Sequence, residues 1–224
     1  MIGIKLVHFF LHLGNLPLMA AIVKMLFLHK IISMSIPQII EASIHTKQQI
    51  LEDPLLLQQL ELAIDQCVSC LQQDGKILFC GNGGSAADAQ HLAAELSGRY
   101  YYDRPPLYAE ALHVNTSYLT AVANDYSYNQ IYSRMVEAAG KKSDVLIGLS
   151  TSGNSANVLE AFKKAKELGM TTIAFTGKGG GKLKEFADVL LDIPSTDTPR
   201  IQESHILLGH ILCEFIEKRI FPQK

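Results

Sequence analysis

Residues 76–95, KILFCGNGGSAADAQHLAAE, are the stretch that decides the fold of this 224-residue chain. The run 77–80 is apolar and short enough for a buried strand, and the glycine-rich segment GNGGS follows it closely. Glycines let the backbone turn sharply and approach a ligand, and Ser85 is a suitable cap for the helix that follows. Free N–H groups at such a helix start favour an anion, usually a phosphate. The stretch therefore predicts a strand, a phosphate-type turn and a helix.

The predicted helix carries His91 and Glu95, which are four residues apart and share one face. A histidine and a glutamate in this arrangement suit either metal binding or proton transfer. The same spacing is more often a solvated pair without function. Here it follows a phosphate-type turn closely, and we therefore treat both residues as candidate site residues.

A dinucleotide site is the alternative for the same turn, since Gly81, Gly83 and Ala86 satisfy the loose pattern G-x-G-x-x-G/A. That pattern is weak on its own, and it requires an acidic residue at the end of the second strand. The next strand-like run, 107–114, has His113 near its end instead. The sequence therefore favours a phosphate site over a nucleotide site.

Strand-like and helix-like segments alternate through the rest of the chain. The predicted strands are 77–80, 107–114, 144–150, 171–176 and 189–193, and the predicted helices are 117–123, 130–139, 155–168, 181–187 and 199–220. The last helix is expected to start with Thr198 as its cap. Alternation with near-continuous apolar strands predicts an α/β fold, a parallel five-stranded sheet flanked by helices. In such sheets ligands bind at the carboxyl ends of the strands.

Residues 1–33 form an apolar leader unlike the rest of the chain. The uncharged stretch 6–23 would almost span a bilayer, but Gly14 and Pro17 fall in its middle. We interpret the leader as a non-native extension rather than a membrane anchor, with a natural start near Met34.

Residues 34–74 predict a helical hairpin that is broken near Asp53-Pro54. Apolar residues recur there at three- and four-residue spacing, which marks one apolar face on the second helix. A hairpin of this kind before an α/β domain, here 75–224, is expected to pack against a partner subunit.

Composition excludes some classes of function. A net charge of −2 and a pI near 6.4 argue against a nucleic-acid-binding surface. Cys67 and Cys70 form a C-x-x-C pair, but no second pair exists, so we expect ordinary buried thiols in a reducing compartment.

A second anion-binding motif, STSGNS at residues 150–155, runs from the end of a predicted strand to the start of a helix. Hydroxyls and helix N–H groups together can satisfy a phosphate without a fixed positive charge. A polar turn without function is the alternative. Two such loops at neighbouring strand ends indicate a substrate with a phosphate at one end and hydroxyls along it.

The C-terminal helix carries Gln202, Glu203 and His210. Gln202 and His210 are eight residues apart, so they can lean toward one side, whereas Glu203 and His210 align better on geometry alone. Helical periodicity does not choose between Gln202 and Glu203.

Over residues 35–224 the chain resembles the phosphoheptose isomerases, members of the flavodoxin-like sugar isomerase (SIS) fold group. The resemblance lies in GNGGSAADAQHLAAELSGRY, DVLIGLSTSGNSANV, FTGKGGGKL and TPRIQESHILLGHILCEFIE, in that order. It implies an aldose–ketose isomerase that converts sedoheptulose 7-phosphate to D-glycero-D-manno-heptose 7-phosphate, on the route to the heptose of lipopolysaccharide.

The same resemblance implies roles for individual residues. It implies one zinc ion per subunit on His91, Glu95, Gln202 and His210, with Glu95 and His210 as the catalytic acid/base pair. The implied substrate contacts are Asn82, Gly83, Gly84, Ser85, Glu95, Asn124, Asp125, Ser150, Thr151, Ser152, Ser155 and Gln202. It also implies a homotetramer with sites at subunit interfaces. We expect a cytoplasmic protein with no nucleic-acid partner, and the interrupted apolar leader argues against a membrane partner.

Two other readings belong to the same fold group. The ending ILCEFIEKRIFPQK is also similar to non-enzymatic SIS proteins that bind the bacterial replication initiator. A sugar-phosphate sensor would keep STSGNS but lose the acid/base pair. The sequence retains Glu95 and His210, which favours the enzyme. It departs from the family at 113–116, HVNT, which puts substrate contacts there in doubt.

Overall fold

The computed structural model describes residues 34–223. Two helices come first, α1 (Ile36–Leu51) and α2 (Pro54–Gln72). Asp53 caps α2, because its carboxylate accepts hydrogen bonds from the backbone N–H groups of Leu55 and Leu56, and Pro54 occupies the first turn, where no N–H is needed. The break that the sequence predicted at Asp53-Pro54 is thus confirmed.

Strands and helices alternate after α2. The elements are β1 (Ile77–Gly81), α3 (Gly84–Ser97), β2 (Ala109–Ala111), α4 (Thr116–Asp125), α5 (Ile131–Ala139), β3 (Val145–Ser150), α6 (Ala156–Glu167), β4 (Thr171–Gly177), β5 (Val189–Ile193) and α7 (Thr198–Ile220). Short 3₁₀ helices occupy Tyr128–Gln130 and Leu183–Glu185.

The five strands form one sheet in the order β2-β1-β3-β4-β5, and each neighbouring pair is parallel. The predicted α/β class and five-stranded parallel sheet are therefore confirmed. The chain moves from β1 to β2 on one side and then returns to β3 on the other, so the order reverses between β1 and β3. Such a reversal leaves a crevice at the carboxyl ends of these strands, where ligands bind.

Each face of the sheet has its own apolar core. On one face, β-strand side chains such as Phe79 pack with α2, α3 and α7, and on the other, side chains such as Leu78 pack with α5 and α6. The central strands β1 and β3 are buried at every position, which explains their uninterrupted apolar sequence. Both layers of helices thus fix the carboxyl edge of the sheet from two sides.

Charged residues and cysteines inside the fold serve packing. At the amino end of the sheet the Lys76 ammonium lies 2.5 Å from the Asp144 carboxylate, and both side chains are almost fully buried. The four cysteines are free and buried, as predicted. Burial raises the pKa of the Cys70 thiol to about 11, so Cys70 is unreactive near neutral pH.

Several predicted boundaries were wrong. The second strand spans only Ala109–Ala111, not 107–114. Its start is delayed because the Leu107 N–H donates to Leu96 O in α3, and its end comes where a turn follows Ala111. The predicted helix 181–187 is only the short 3₁₀ helix Leu183–Glu185.

Two predicted helix caps were also wrong. The cap of α3 is Gly83, with φ of 58°, and Ser85 is instead buried inside the first turn. The left-handed conformation at Gly83 lets its carbonyl accept from Ala86 and Ala87, a geometry that favours glycine over serine. At α7 the cap is Asp197, because the helix starts at Thr198 itself.

The apolar leader, 1–33, lies outside the described residues. Within residues 34–223, no helix has the length and apolar character to cross a membrane. The division into a leader, a helical hairpin at 34–74 and an α/β domain at 75–224 stays a prediction.

Candidate active site

A close approach of α3 and α7 builds the site. Gly209 of α7 packs against Leu92 of α3, and a Cβ at position 209 would lie 2.6 Å from a Leu92 methyl carbon. A side chain at position 209 would require Leu92 to shift, so glycine favours this close approach of the two helices. The neighbours of these two residues, His91 and His210, are brought together although 119 residues separate them.

His91, Glu95 and His210 form one cluster at this contact, which we call the triad. The Nε2 atoms of the two histidines are 3.0 Å apart, and His91 Nε2 is 3.2 Å from Glu95 Oε1. One potential ligand atom from each residue lies within 4.8 Å of the others. The side chain of His91 is 49% exposed and that of Glu95 is 24% exposed, so the cluster is open to a ligand.

The geometry of the triad fits a metal ion. Ligand atoms on a tetrahedral zinc with bonds of 2.0–2.1 Å lie about 3.3–3.4 Å apart, close to the two distances in the triad. Two imidazole nitrogens that face each other at 3.0 Å need a shared proton or a cation between them. The donor set, two imidazoles and a carboxylate, is also the set that zinc prefers.

Gln202 and Glu203 occupy different surroundings. The side chain of Gln202 lies against the glycine turn, since a Cβ on Gly84 would be 2.6 Å from its Nε2 and 3.2 Å from its Oε1. The carboxylate of Glu203 instead accepts hydrogen bonds from Arg200 at 2.6 Å and from Ser43 at 2.7 Å. The structure thus places Gln202 beside the turn, whereas Glu203 is engaged by α1 and the start of α7.

The GNGG turn is held by side chains that the sequence did not single out. Asn82 and the buried Asn157 form a reciprocal amide pair, with N–O distances of 2.9 and 2.8 Å. Tyr128 donates to Asn82 Oδ1 at 3.1 Å, and Tyr132 donates to the Gly81 carbonyl. These contacts come from α5, α6 and the 3₁₀ helix before α5, and no local pattern in residues 76–95 could have revealed them.

The STSGNS loop of residues 150–155 follows β3. The hydroxyls of Ser150 and Ser155 are 2.9 Å apart, and Ser152 is exposed, with its hydroxyl accepting from the Asn154 N–H. Gly153, with φ of 64°, touches the loop after β4, where a Cβ would overlap the Gly180 carbonyl. The loop is therefore shaped by its own hydroxyls on one side and by backbone contact on the other.

Asn124 and Asp125 lie at the C-terminal end of α4, where both are exposed. The Asn124 amide donates to the Asp125 carboxylate at 2.9 Å. Within the described part of the chain, neither side chain forms a hydrogen bond with the triad or the glycine turn. The structure does not join these two predicted contacts to the triad or to the glycine turn.

Two further ionisable residues lie near the triad. Burial raises the pKa of Asp88, one turn before His91, while the charges of His91 and His210 act in the opposite direction. The ring of Tyr100 is centred 6.0 Å from the His210 ring, and burial is the main reason that its pKa rises to about 12. Tyr100 therefore stays a neutral phenol beside His210.

Comparisons with known proteins agree with this architecture. The family model that matches is described as the SIS domain and covers residues 38–177. The phosphoheptose isomerase of Clostridium acetobutylicum is 52% identical over 185 residues, which cover 83% of this chain and 94% of that protein. The enzyme of that name from Helicobacter pylori is 56% identical over 163 residues, 73% of this chain and 85% of the relative.

Solved structures give the same result. A phosphoheptose isomerase from Neisseria gonorrhoeae matches with a TM-score of 0.74 and 49% identity, over 79% of this chain and 94% of that one. One from Francisella tularensis matches with a TM-score of 0.77 and 39% identity, over 82% of this chain and 96% of that one. The chain therefore belongs to the phosphoheptose isomerase family of SIS-domain proteins.

Proposed function

We propose that this protein is a phosphoheptose isomerase, an aldose–ketose isomerase that converts sedoheptulose 7-phosphate to D-glycero-D-manno-heptose 7-phosphate. The observation that carries this function is the triad itself. A histidine and a glutamate on α3 meet a histidine on α7, in a chain whose relatives are named for this activity. A carboxylate and an imidazole in contact are the groups that proton transfer between neighbouring carbons requires.

In the reaction, a carbonyl moves from C2 to C1 through an enediol. Glu95 acts as the base that takes the proton from C1 and returns it to C2. His210 carries a proton between the two sugar oxygens, which imidazole can do near neutral pH. The partial exposure of Glu95 supports this assignment, because a substrate carbon has to reach the carboxylate.

We propose zinc as the cofactor, one ion per subunit, held by His91, Glu95 and His210 with Gln202 as the fourth ligand. The distances within the triad support three of these ligands. When bound, zinc would act as a Lewis acid that polarises the carbonyl and stabilises the negative charge of the enediolate. Gln202 would contribute its amide oxygen, the only side-chain atom of glutamine that can accept.

The remaining site residues are assigned to the two ends of the substrate. The hydroxyls of Ser150, Thr151, Ser152 and Ser155 bind the phosphate. The turn residues Asn82, Gly83, Gly84 and Ser85, together with Asn124 and Asp125, contact the sugar hydroxyls. The reciprocal amide pair of Asn82 and Asn157 supports the assignment of the turn to the sugar hydroxyls, because it holds the turn in one conformation.

We also propose a homotetramer, with sites completed by neighbouring subunits. Exposed isoleucines along α1 support this, since Ile36, Ile40 and Ile44 are 76%, 55% and 58% exposed and recur every fourth residue. A stripe of this kind is the usual mark of a helix that packs on a partner. The proposed setting is the cytoplasm, in the synthesis of the heptose of lipopolysaccharide, without a nucleic-acid or membrane partner.

The alternative, a non-enzymatic SIS protein that binds the replication initiator, is not favoured. Relatives of about 50% identity over most of the chain are named phosphoheptose isomerase, and the triad is complete.

The test is turnover of sedoheptulose 7-phosphate before chelation, after chelation, and after zinc is restored. Isomerase activity that falls with chelation and returns with zinc supports both the function and the metal. A folded protein that produces no aldoheptose phosphate under any of these conditions would contradict the function. Activity that is indifferent to chelation would contradict the metal alone.

A further inference from the structure

A cavity of about 240 Å³ lies beside the STSGNS loop. It is lined by five residues with hydroxyl groups and one with a positive charge, namely Thr151, Ser152, Ser195, Thr196, Thr198 and Lys178. These residues come from the carboxyl ends of β3, β4 and β5 and from the first turn of α7. A volume below the roughly 300–1,000 Å³ of pockets for whole ligands suits one end of a substrate.

The backbone around Lys178 is fixed, whereas its side chain is exposed. Its N–H donates to Ser195 O at 3.0 Å, and the N–H of Gly177 donates to Thr151 O at 3.0 Å. A side chain at position 177 is excluded, because a Cβ there would lie 2.6 Å from Thr151 O and 2.5 Å from a methyl carbon of Ile201. The backbone from which the Lys178 side chain extends is therefore fixed beside the cavity.

Lys178 has no partner of opposite charge within residues 34–223, at a limit of 4.0 Å between nitrogen and oxygen. Lys163, Lys164 and Lys166, on α6, each pair with a carboxylate instead. Asp192 is the acidic side chain that contacts the same loop, and its carboxylate accepts from the Gly179 N–H at 3.3 Å. An ammonium without a counter-ion beside a group of hydroxyls suits an anion.

We infer that Lys178 binds the phosphate end of the sugar phosphate and supplies the positive charge that the STSGNS loop lacks. This inference rests on the proposed function. Thr151 and Ser152 belong to both the loop and the cavity, so a phosphate held by their hydroxyls lies next to Lys178. A phosphate monoester carries about −1.5 to −2 charges at pH 7, and a charge-assisted hydrogen bond to it is stronger than one from a hydroxyl.

The test is Lys178→Met, which keeps the length of the side chain and removes the charge. Because one charge-assisted hydrogen bond to the phosphate is lost, we expect KM to rise about tenfold and kcat to fall by less than KM rises. Inorganic phosphate, used as a competitive inhibitor, should lose affinity by the same factor. Lys178→Arg should stay within about threefold of the wild type, since it keeps the charge.

Lys182→Met is the matched control. Lys182 lies in the same glycine-rich loop, is exposed and does not line the cavity. Its KM and its affinity for inorganic phosphate should equal those of the wild type. Equal effects of Lys178→Met and Lys182→Met would refute the inference, because they would show that any positive charge in this loop acts in the same way. An unchanged KM in Lys178→Met would refute it as well.

Failure of the inference can be separated from failure of the proposed function. Stabilisation by inorganic phosphate, measured as the rise in Tm, reports binding in the absence of turnover. The function would be contradicted if the wild type showed no isomerase activity. The phosphate site would still be supported if phosphate raised the Tm of the wild type but not that of Lys178→Met. An equal rise in both proteins would contradict the site.

Discussion

Two ionisable residues on the same face of α7 differ in how many of their hydrogen-bonding atoms have partners. His210 and Glu217 are seven residues apart, two turns of helix, and each faces the region of α3 and the chain that follows it. Glu217 is fully buried and accepts from the N–H groups of Tyr100 and Tyr101 and from the Arg104 guanidinium, at 2.9, 2.7 and 3.0 Å.

His210 belongs instead to an open cluster with few partners. Its Nε2 faces another imidazole nitrogen at 3.0 Å, and the side chain of His91 is half exposed. Glu217 stabilises the fold, because both of its carboxylate oxygens accept hydrogen bonds from within the chain. The cluster of His91, Glu95 and His210 has fewer internal partners and is available for a ligand. The number of internal hydrogen-bond partners therefore separates a candidate site from a structural ion pair better than charge does.

The largest expected effect tests the open cluster. Glu95→Gln keeps the shape of the side chain but cannot accept a proton, so we expect kcat to fall by about 10³-fold, within the usual range for a general base. Tm should change little, because Glu95 is not saturated by internal partners. Initial rates and thermal unfolding check both statements, and a variant with more than a tenth of the wild-type kcat would contradict the role of Glu95.

The second prediction concerns the buried carboxylate of Glu217. Glu217→Ala leaves the Arg104 guanidinium buried without its carboxylate, and breaking a buried pair costs about 3–5 kcal/mol of unfolding free energy. Burial raises the pKa of Glu217, but the N–H groups of Tyr101 and Tyr100 and the Arg104 charge outweigh it, so the pKa is held below its usual value. Urea unfolding measures the loss. A cost below about 1 kcal/mol would show that Glu217 is not a support.

His205, a third ionisable residue on α7, is buried like Glu217 and should make the unfolding free energy depend on pH. Burial lowers the pKa of His205 to about 4, and its Nε2 lies 3.1 Å from the Thr176 carbonyl oxygen. The histidine of the unfolded chain takes up a proton below about pH 6.5, whereas the folded one does not until about pH 4. Its contribution to stability is therefore present above pH 6.5 and is lost as the pH falls toward 4.

We expect this titration to remove about 2 kcal/mol between pH 7 and pH 5. His205→Gln keeps a donor for Thr176 but does not titrate, so its unfolding free energy should lose less over the same interval. Chemical denaturation at several pH values gives the difference between the two slopes. Parallel slopes would mean that His205 is protonated equally in the folded and unfolded states.

The smallest effect concerns one hydroxyl of the STSGNS loop. Ser152 is exposed, and the Asn154 N–H that donates to its hydroxyl can bond water instead, so Ser152→Ala should change Tm little. One lost hydrogen bond to phosphate should raise the dissociation constant of the phosphosugar by about three- to tenfold. Calorimetric titration measures it, and Asn154→Ala serves as a control for changes in the shape of the loop. An unchanged dissociation constant would remove Ser152 from the phosphate site.

The sequence was sufficient wherever structure depends on neighbours along the chain. Apolar runs located all five strands, and four-residue spacing placed His91 and Glu95 on one face. Asp53-Pro54 gave the helix break for the same local reason. The predicted bounds of β2 and the predicted cap of α3 were wrong. The start of β2 depends on a hydrogen bond to Leu96, and the cap of α3 depends on the backbone conformation of Gly83.

Contacts between distant parts of the chain were out of reach of sequence patterns. The contact that separates the surroundings of Glu203 from those of Gln202 comes from Ser43, which is 160 residues away from Glu203. The amide pair of Asn82 and Asn157 and the place of Lys178 beside Thr151 likewise exist only after the sheet has formed. The loop after β4 was recognised as a match to the family, but its lysine carried no pattern that predicts a phosphate contact.

The amide pair of Asn82 and Asn157 has a thermodynamic consequence. It ties the turn after β1 to the first turn of α6, the helix that begins where the STSGNS loop ends. A ligand that orders one of these loops therefore orders part of the other. The conformational entropy lost on ordering the two loops is then lost once, not separately for each end of a substrate. In the proposed reaction, binding energy gained at the phosphate would in this way be transferred to the reacting carbons. A heptulose without its phosphate would then lose turnover as well as affinity, and free phosphate added beside it would restore part of the rate.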